Sequence, residues 1–285
     1  MKHAYADLSC GQIYYDTAGE GEPLICLHQS IWSNWEFSKL IPLLAKKYRV
    51  VAPDTIGFGR SDPAPHGWMV LDYAKAVIEF MDVLGIKKAH FLGQHTGAFF
   101  GTEIAASFPQ RINKIVFSGL GLFNLDFVPY TPDPTGLWAI STVTQNVRER
   151  IANRSMPLNI PVTKDYTHIQ SLWASQLHEN PASSMDGIQK AFQGVFEFID
   201  KRGGNPFAAL LQFDMEARAR QVKNPSLLTI GTKDCFYPPV CKPPEMMAGI
   251  LPNCTMRYVE GAGIMGMYTH AEEYAKVILE FLGTK

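Results

Sequence analysis

Several features are scarce in this 285-residue chain, and each scarcity excludes something. No apolar run approaches the ~20 residues that a bilayer-spanning helix needs, so no membrane association is expected. Neither sign of charge dominates: 26 Lys and Arg face 27 Asp and Glu, for a net charge of -1. That balance leaves no electrostatic footprint for nucleic acid or an anionic membrane surface. The opening stretch, MKHAYADLSCGQ, lacks the apolar segment of a secretory leader. Cys10, Cys26, Cys235, Cys241 and Cys254 are odd in number and have no C-x-x-C spacing. They read as reduced thiols of a cytoplasmic protein, not as a disulfide frame or a zinc site. No two histidines stand at i, i+4 and no carboxylate cluster adjoins His95 in sequence, so no metal is expected. Internal repeats and low-complexity linkers are also missing.

What is present is a globular composition, 46% hydrophobic and 19% charged, of a length that suits one domain or one domain with an insertion. Short apolar runs alternate with amphipathic stretches. Strands are expected over Gln12–Thr17, Pro23–His28, Tyr48–Ala52, Ala89–Gly93 and Lys114–Gly119. Helical spacing is read over Trp35–Lys47, Met69–Leu84 and Gly97–Phe108. This alternation implies an α/β fold with a mostly parallel central sheet flanked by helices. From Asn124 to about Val222 the alternation stops and aromatics and prolines accumulate, with helical patterns at Gln170–Leu177 and Met185–Asp200. It resumes with strands at Ser226–Gly231 and Thr255–Val259 and a last helix from about His270 to Leu282. The expected organisation is a core of residues 1–123 and 223–285, with a helical cap over 124–222.

Four stretches carry a resemblance. CLHQSIWSNWEF (26–37) resembles a strand-3 end with its oxyanion loop, and APDTIGFGRSD (52–62) an aspartate-glycine loop after strand 4. GQHTG (93–97) resembles a nucleophile elbow at strand 5, and IGTKDCFYPP (230–239) a strand-7 end carrying a catalytic acid. Taken in this order they resemble the α/β-hydrolase fold superfamily over nearly the whole chain, with the cap inserted after strand 6. The resemblance implies a serine–histidine–acid machine, and the chain departs from it. His95 stands where the serine belongs. Ile264, in VEGAGIMGMYTH, stands where a G-A-G-H pattern has histidine. Gln29 replaces a glycine after His28, while Asp234 keeps the acid position.

An elbow puts its central side chain on a strained turn facing the pocket. Imidazole reaches farther than a hydroxyl, into space that Ile264 leaves without a polar group. The expected catalytic pair is therefore a His95–Asp234 dyad acting as general base. The backbone N–H groups of Thr96 and Ser30 are expected to form the oxyanion hole, aided by the helix that begins at the elbow. The Gln29 amide is a candidate substrate contact. His28 and Asp54 are read as structural, tying down their loops. Ser30, Thr96 and Cys235 are alternative nucleophiles, each without an identified base. Trp138, Trp173 and Phe196 of the insertion, with Trp32 and its neighbour Trp35, favour a small apolar or aromatic substrate. Two readings follow. One is a cofactor-independent enzyme with lyase or non-covalent hydrolase chemistry on a carbonyl-type substrate. The other is a catalytically inactive relative that binds a small apolar ligand. Neither needs a cofactor or metal, the partner is a small molecule, and a homodimer is compatible with both.

Overall fold

The structure is a computed structural model that describes residues 1–30, 32–123, 185–190, 193, 209–210, 212–234 and 241–283. Among the described residues, eight strands form one sheet: β1 (Lys2–Leu8), β2 (Gly11–Ala18), β3 (Pro23–Leu27), β4 (Arg49–Pro53), β5 (Ala89–Gln94), β6 (Ile112–Ser118), β7 (Ser226–Gly231) and β8 (Cys254–Val259). Their order is β1-β2-β4-β3-β5-β6-β7-β8. The β1–β2 and β2–β4 pairs are antiparallel, and every later pair is parallel. All residues of β5 and β7 are buried. A parallel strand covered on both faces needs mainly apolar side chains in both directions, hence the mostly apolar runs AHFLGQ and SLLTIG.

Helices α1 (Ile41–Leu44), α2 (Val70–Val83), α3 (Thr96–Ser107), α4 (Met215–Ala219), α5 (Pro244–Ile250), α6 (Gly266–Thr269) and α7 (Ala271–Gly283) accompany the sheet. A further helical stretch covers 185–190. On one face α2 and α3 pack together, the rings of Tyr73 and Phe100 stacking with centroids 4.7 Å apart. On the other face α1 and α7 bury Leu44, Tyr274 and Ile278 against Leu92 and Val116. Met215, Ala219 and Val222, around α4, join the first face. There Arg218 grips the buried Glu103 of α3 through two 2.7 Å contacts.

The single helix read over Trp35–Lys47 is instead a 3₁₀ turn, Asn34–Phe37, followed by the short α1. Pro42 explains the break. Without an N–H, and with a ring that clashes one turn back, it is tolerated only in a helix's first turn. Helix α1 accordingly starts at Ile41. Strand β1 carries no clear sequence signal because it is a mostly exposed edge with a single buried residue, Ala6. The expected helices over Gln170–Leu177 and most of Met185–Asp200 lie outside the described residues. None of the described helices is long and apolar enough to cross a membrane.

Candidate active site

The parallel register brings the site together at one edge of the sheet. Leu27 pairs with Gly93 and Gln94 with Ser118. The chain therefore leaves β3, β5 and β6 side by side at their carboxyl ends, where open α/β sheets form their crevices. Asp234 arrives at the same edge three residues after β7, its N–H bonded to the Gly231 carbonyl at 3.0 Å.

His95 occupies the turn from β5 into α3 with φ 41° and ψ −106°. It is the one non-glycine residue with positive φ among the described residues. Holding it there costs on the order of 1–3 kcal/mol, so the surroundings must over-determine the turn. They do. A Cβ on Gly93 would lie 2.5 Å from the Gly97 carbonyl oxygen, and one on Gly97 would lie 2.0 Å from the Leu27 carbonyl oxygen. Only glycine at both positions lets strand and helix approach this closely. The His95 N–H is fixed by the Ser118 carbonyl at 2.8 Å.

The imidazole Nε2 lies 2.9 Å from Asp234 Oδ2. Both side chains are nearly inaccessible, at 11% and 3% exposure. Burial by itself would lower the affinity of His95 for a proton. The Asp234 charge, the hydrogen bond to it and the charge of Glu36 outweigh that, and the pKa lies above the ordinary value. Gly119, just past β6, makes room for the ring: a Cβ there would lie 2.6 Å from both Cε1 and Nε2.

Beside the elbow, the Thr96 hydroxyl donates to Ser30 Oγ at 2.9 Å. The backbone N–H groups of Ser30 and Thr96 donate to no described residue. Trp32 is buried in the turn closed by its N–H to the Gln29 carbonyl. Its ring lies 5.3 Å from that of Trp35, which meets Tyr268 at 5.6 Å. Trp138, Trp173, Phe196 and Cys235 lie outside the described residues.

Gln29 is held within the protein by its amide nitrogen: Nε2 donates to Glu36 Oε1 at 2.7 Å and to the Ile264 carbonyl at 3.0 Å. The loop needs this because Glu36, wholly buried, requires donors on both carboxyl oxygens. The second oxygen takes the Gln29 N–H at 3.0 Å. Glu36 was not legible as a site residue, since a lone glutamate after Trp35 reads as solvated surface. His28 holds its own loop, with Nδ1 on the Gln29 carbonyl at 2.8 Å and Nε2 accepting the Thr55 N–H at 2.9 Å. Burial pushes its pKa down to about 4, so it is neutral. Asp54 accepts the N–H groups of Asn34 and Arg60 at 2.7 and 2.9 Å, tying down its loop.

A profile of the alpha/beta hydrolase fold matches residues 22–270. The chain belongs to the alpha/beta hydrolase fold family. It is 29% identical over 280 residues to 2-hydroxy-6-oxononadienedioate/2-hydroxy-6-oxononatrienedioate hydrolase 2 of Pseudomonas putida, covering 95% of this chain and 91% of the relative. It is 28% identical over 293 residues to the 2-hydroxy-6-oxo-6-phenylhexa-2,4-dienoate hydrolase of Burkholderia cepacia, covering 96% and 92%. Among solved structures, a hydrolase from Pseudomonas aeruginosa superposes with a TM-score of 0.74 at 19% identity, covering 99% of each chain. The enol-lactonase of Burkholderia xenovorans superposes with a TM-score of 0.69 at 20% identity, covering 99% of this chain and 100% of that one. At those identities the structural likeness speaks for the fold, and chemistry must be argued from the site. In this member of the fold family, the edge of the sheet brings together the His95 imidazole and the Asp234 carboxylate.

Proposed function

We propose that the chain is a cofactor-independent hydrolase of a small apolar or aromatic carbonyl compound, with His95 as general base in place of a serine nucleophile. The observation that carries this reading is the buried 2.9 Å contact between His95 and Asp234 on a strained elbow. Asp234 holds the ring and stabilises imidazolium, the N–H groups of Ser30 and Thr96 form the oxyanion hole, and Ile264 takes the place of a catalytic histidine. With Nε2–H donating to Asp234, a tautomer assigned from the carboxylate partner, the proton-accepting nitrogen is Nδ1. His95 takes a proton from water while the water oxygen bonds to the carbonyl carbon. The carbonyl oxygen gains negative charge between the two N–H donors. Collapse of the adduct breaks the bond to the leaving group, which receives the proton from the imidazolium. The insertion over 124–222 is the proposed cap, with Trp138, Trp173 and Phe196 joining Trp32 as apolar contacts on its sequence pattern.

The activities named for the relatives make 2-hydroxy-6-oxo-dienoates the first substrate class to assay, with enol lactones and aryl esters beside them. Expected is turnover by the wild type that falls roughly 10²–10⁴-fold in His95→Ala while cooperative unfolding is retained. Undiminished turnover in that variant removes His95 from the mechanism. Saturable ligand binding without turnover by the wild type would establish the inactive binding protein instead.

A further inference from the structure

Glu36 is used by none of the steps above, yet it is among the most deeply placed charges of the molecule. It sits in the 3₁₀ turn with 0% exposure. Among the described residues no Lys or Arg forms a salt bridge with it. Both its oxygens are taken by Gln29, through the backbone N–H at 3.0 Å and the side-chain amide at 2.7 Å. The second amide hydrogen of Gln29 goes to the Ile264 carbonyl, which also accepts Gln94 Nε2 at 3.3 Å. Gln94 immediately precedes His95. The oxyanion loop, the elbow and the loop after β8 thus meet through one carbonyl and one buried carboxylate.

We infer that Glu36 is a positioning residue of the His95 site: it fixes the oxyanion loop against the Ile264 carbonyl through Gln29 and sets a second negative charge within reach of the imidazole. The inference rests on reading His95 as the functional group. The geometry ties together Gln29, His95 and Ile264, the same three positions at which the sequence departs from the family pattern. Electrostatic coupling supports it in both directions: the Glu36 charge favours His95 protonation, and the His95 charge favours Glu36 ionisation. Burial raises the Glu36 pKa to about 7, the Gln29 hydrogen bonds and His95 opposing it. The contacts of this turn bring in His28 on the Gln29 carbonyl, Asp54 on the Asn34 N–H, Tyr268 against Trp35 with Lys39 Nζ 3.9 Å over its ring, and Tyr274, which feels the Glu36 charge. His28 is pushed down to about 4, Asp54 is raised to about 6 by burial, and burial raises both tyrosines.

The test reads the imidazole directly and needs no substrate. The full chain is labelled with ¹⁵N-histidine, and His95 is titrated by NMR in wild type and Glu36→Gln, with His95→Gln providing the assignment. Glu36→Gln keeps the volume but removes the charge and one acceptor. Expected is a His95 midpoint moved to lower pH, while His90, hydrogen-bonded to Glu22 near the start of β5, keeps its midpoint. The Gln29 amide should also exchange about tenfold faster, having lost a charge-assisted hydrogen bond. Faster exchange with an unmoved His95 midpoint would reduce Glu36 to a structural buttress and overturn the inference. If Glu36→Gln does not fold, Gln29→Leu substitutes for it: losing the amide donor favours neutral Glu36, so the His95 midpoint should again fall, and an unmoved midpoint overturns the inference. The turnover of His95→Ala reports separately on the general-base reading, so failure of either can be told from failure of the other.

Discussion

Gly119→Ala isolates what the His95 ring needs. The added Cβ would stand 2.6 Å from Cε1 and Nε2 and 2.8 Å from Nδ1. Ordinary contacts begin near 3.5 Å, so the ring must retreat by about 0.9 Å. That displacement moves Nε2 out of its 2.9 Å contact with Asp234. Misplacing a reacting group by about 1 Å costs on the order of 10² in rate. The substitution also carries a backbone penalty, because Gly119 has φ +66° and an L-residue there costs roughly 1–2 kcal/mol. Gly85→Ala separates the two effects. Gly85 has nearly the same φ, +68°, but a Cβ there meets nothing within 4 Å. Chemical denaturation and steady-state kinetics on both variants should show a shared loss of roughly 1–2 kcal/mol in stability. A roughly 100-fold fall in kcat should appear for Gly119→Ala alone. Wild-type kcat in Gly119→Ala would refute the claim that the observed ring position is the working one.

Three further outcomes are expected. Asp234→Asn should lower kcat roughly 10²–10⁴-fold. A general base must be neutral, and the His95 pKa is raised above 6.5, so the acid limb of the wild-type profile should lie above that value and move down in Asp234→Asn. An acid limb that stays put would exclude Asp234 as the group that raises it. A fluorophosphonate probe should leave the protein unlabelled by intact-mass spectrometry, and a stoichiometric adduct on Ser30 would restore a serine mechanism. Arg218→Ala should cost about 2 kcal/mol in urea melts, because it strands buried Glu103 while Arg218 itself is a quarter exposed. Its kcat should not change.

The sequence by itself determined seven of the eight strands, the glycine-flanked turn after β5 and the order of the four loops. Buried parallel strands must be apolar on both faces, and a turn as tight as Gly93–Gly97 leaves only glycine at its flanks, so both features are written locally. The break at Pro42 was equally local, although the apolar spacing from Trp35 onward masks it. Strand β1 was illegible because an exposed edge places little demand on residue type. The site itself was legible only at its centre. His95 is marked by the glycines that flank it in the turn after β5, and Asp234 by its position after β7. That the two meet, 139 residues apart, depends on the sheet register. Tertiary structure alone decided that Gly119 cradles the ring, that the Gln29 amide nitrogen is spent on Glu36 and the Ile264 carbonyl, and that Glu36 is buried. A buried carboxylate must find its donors wherever the fold has put them, and no local pattern records where that is.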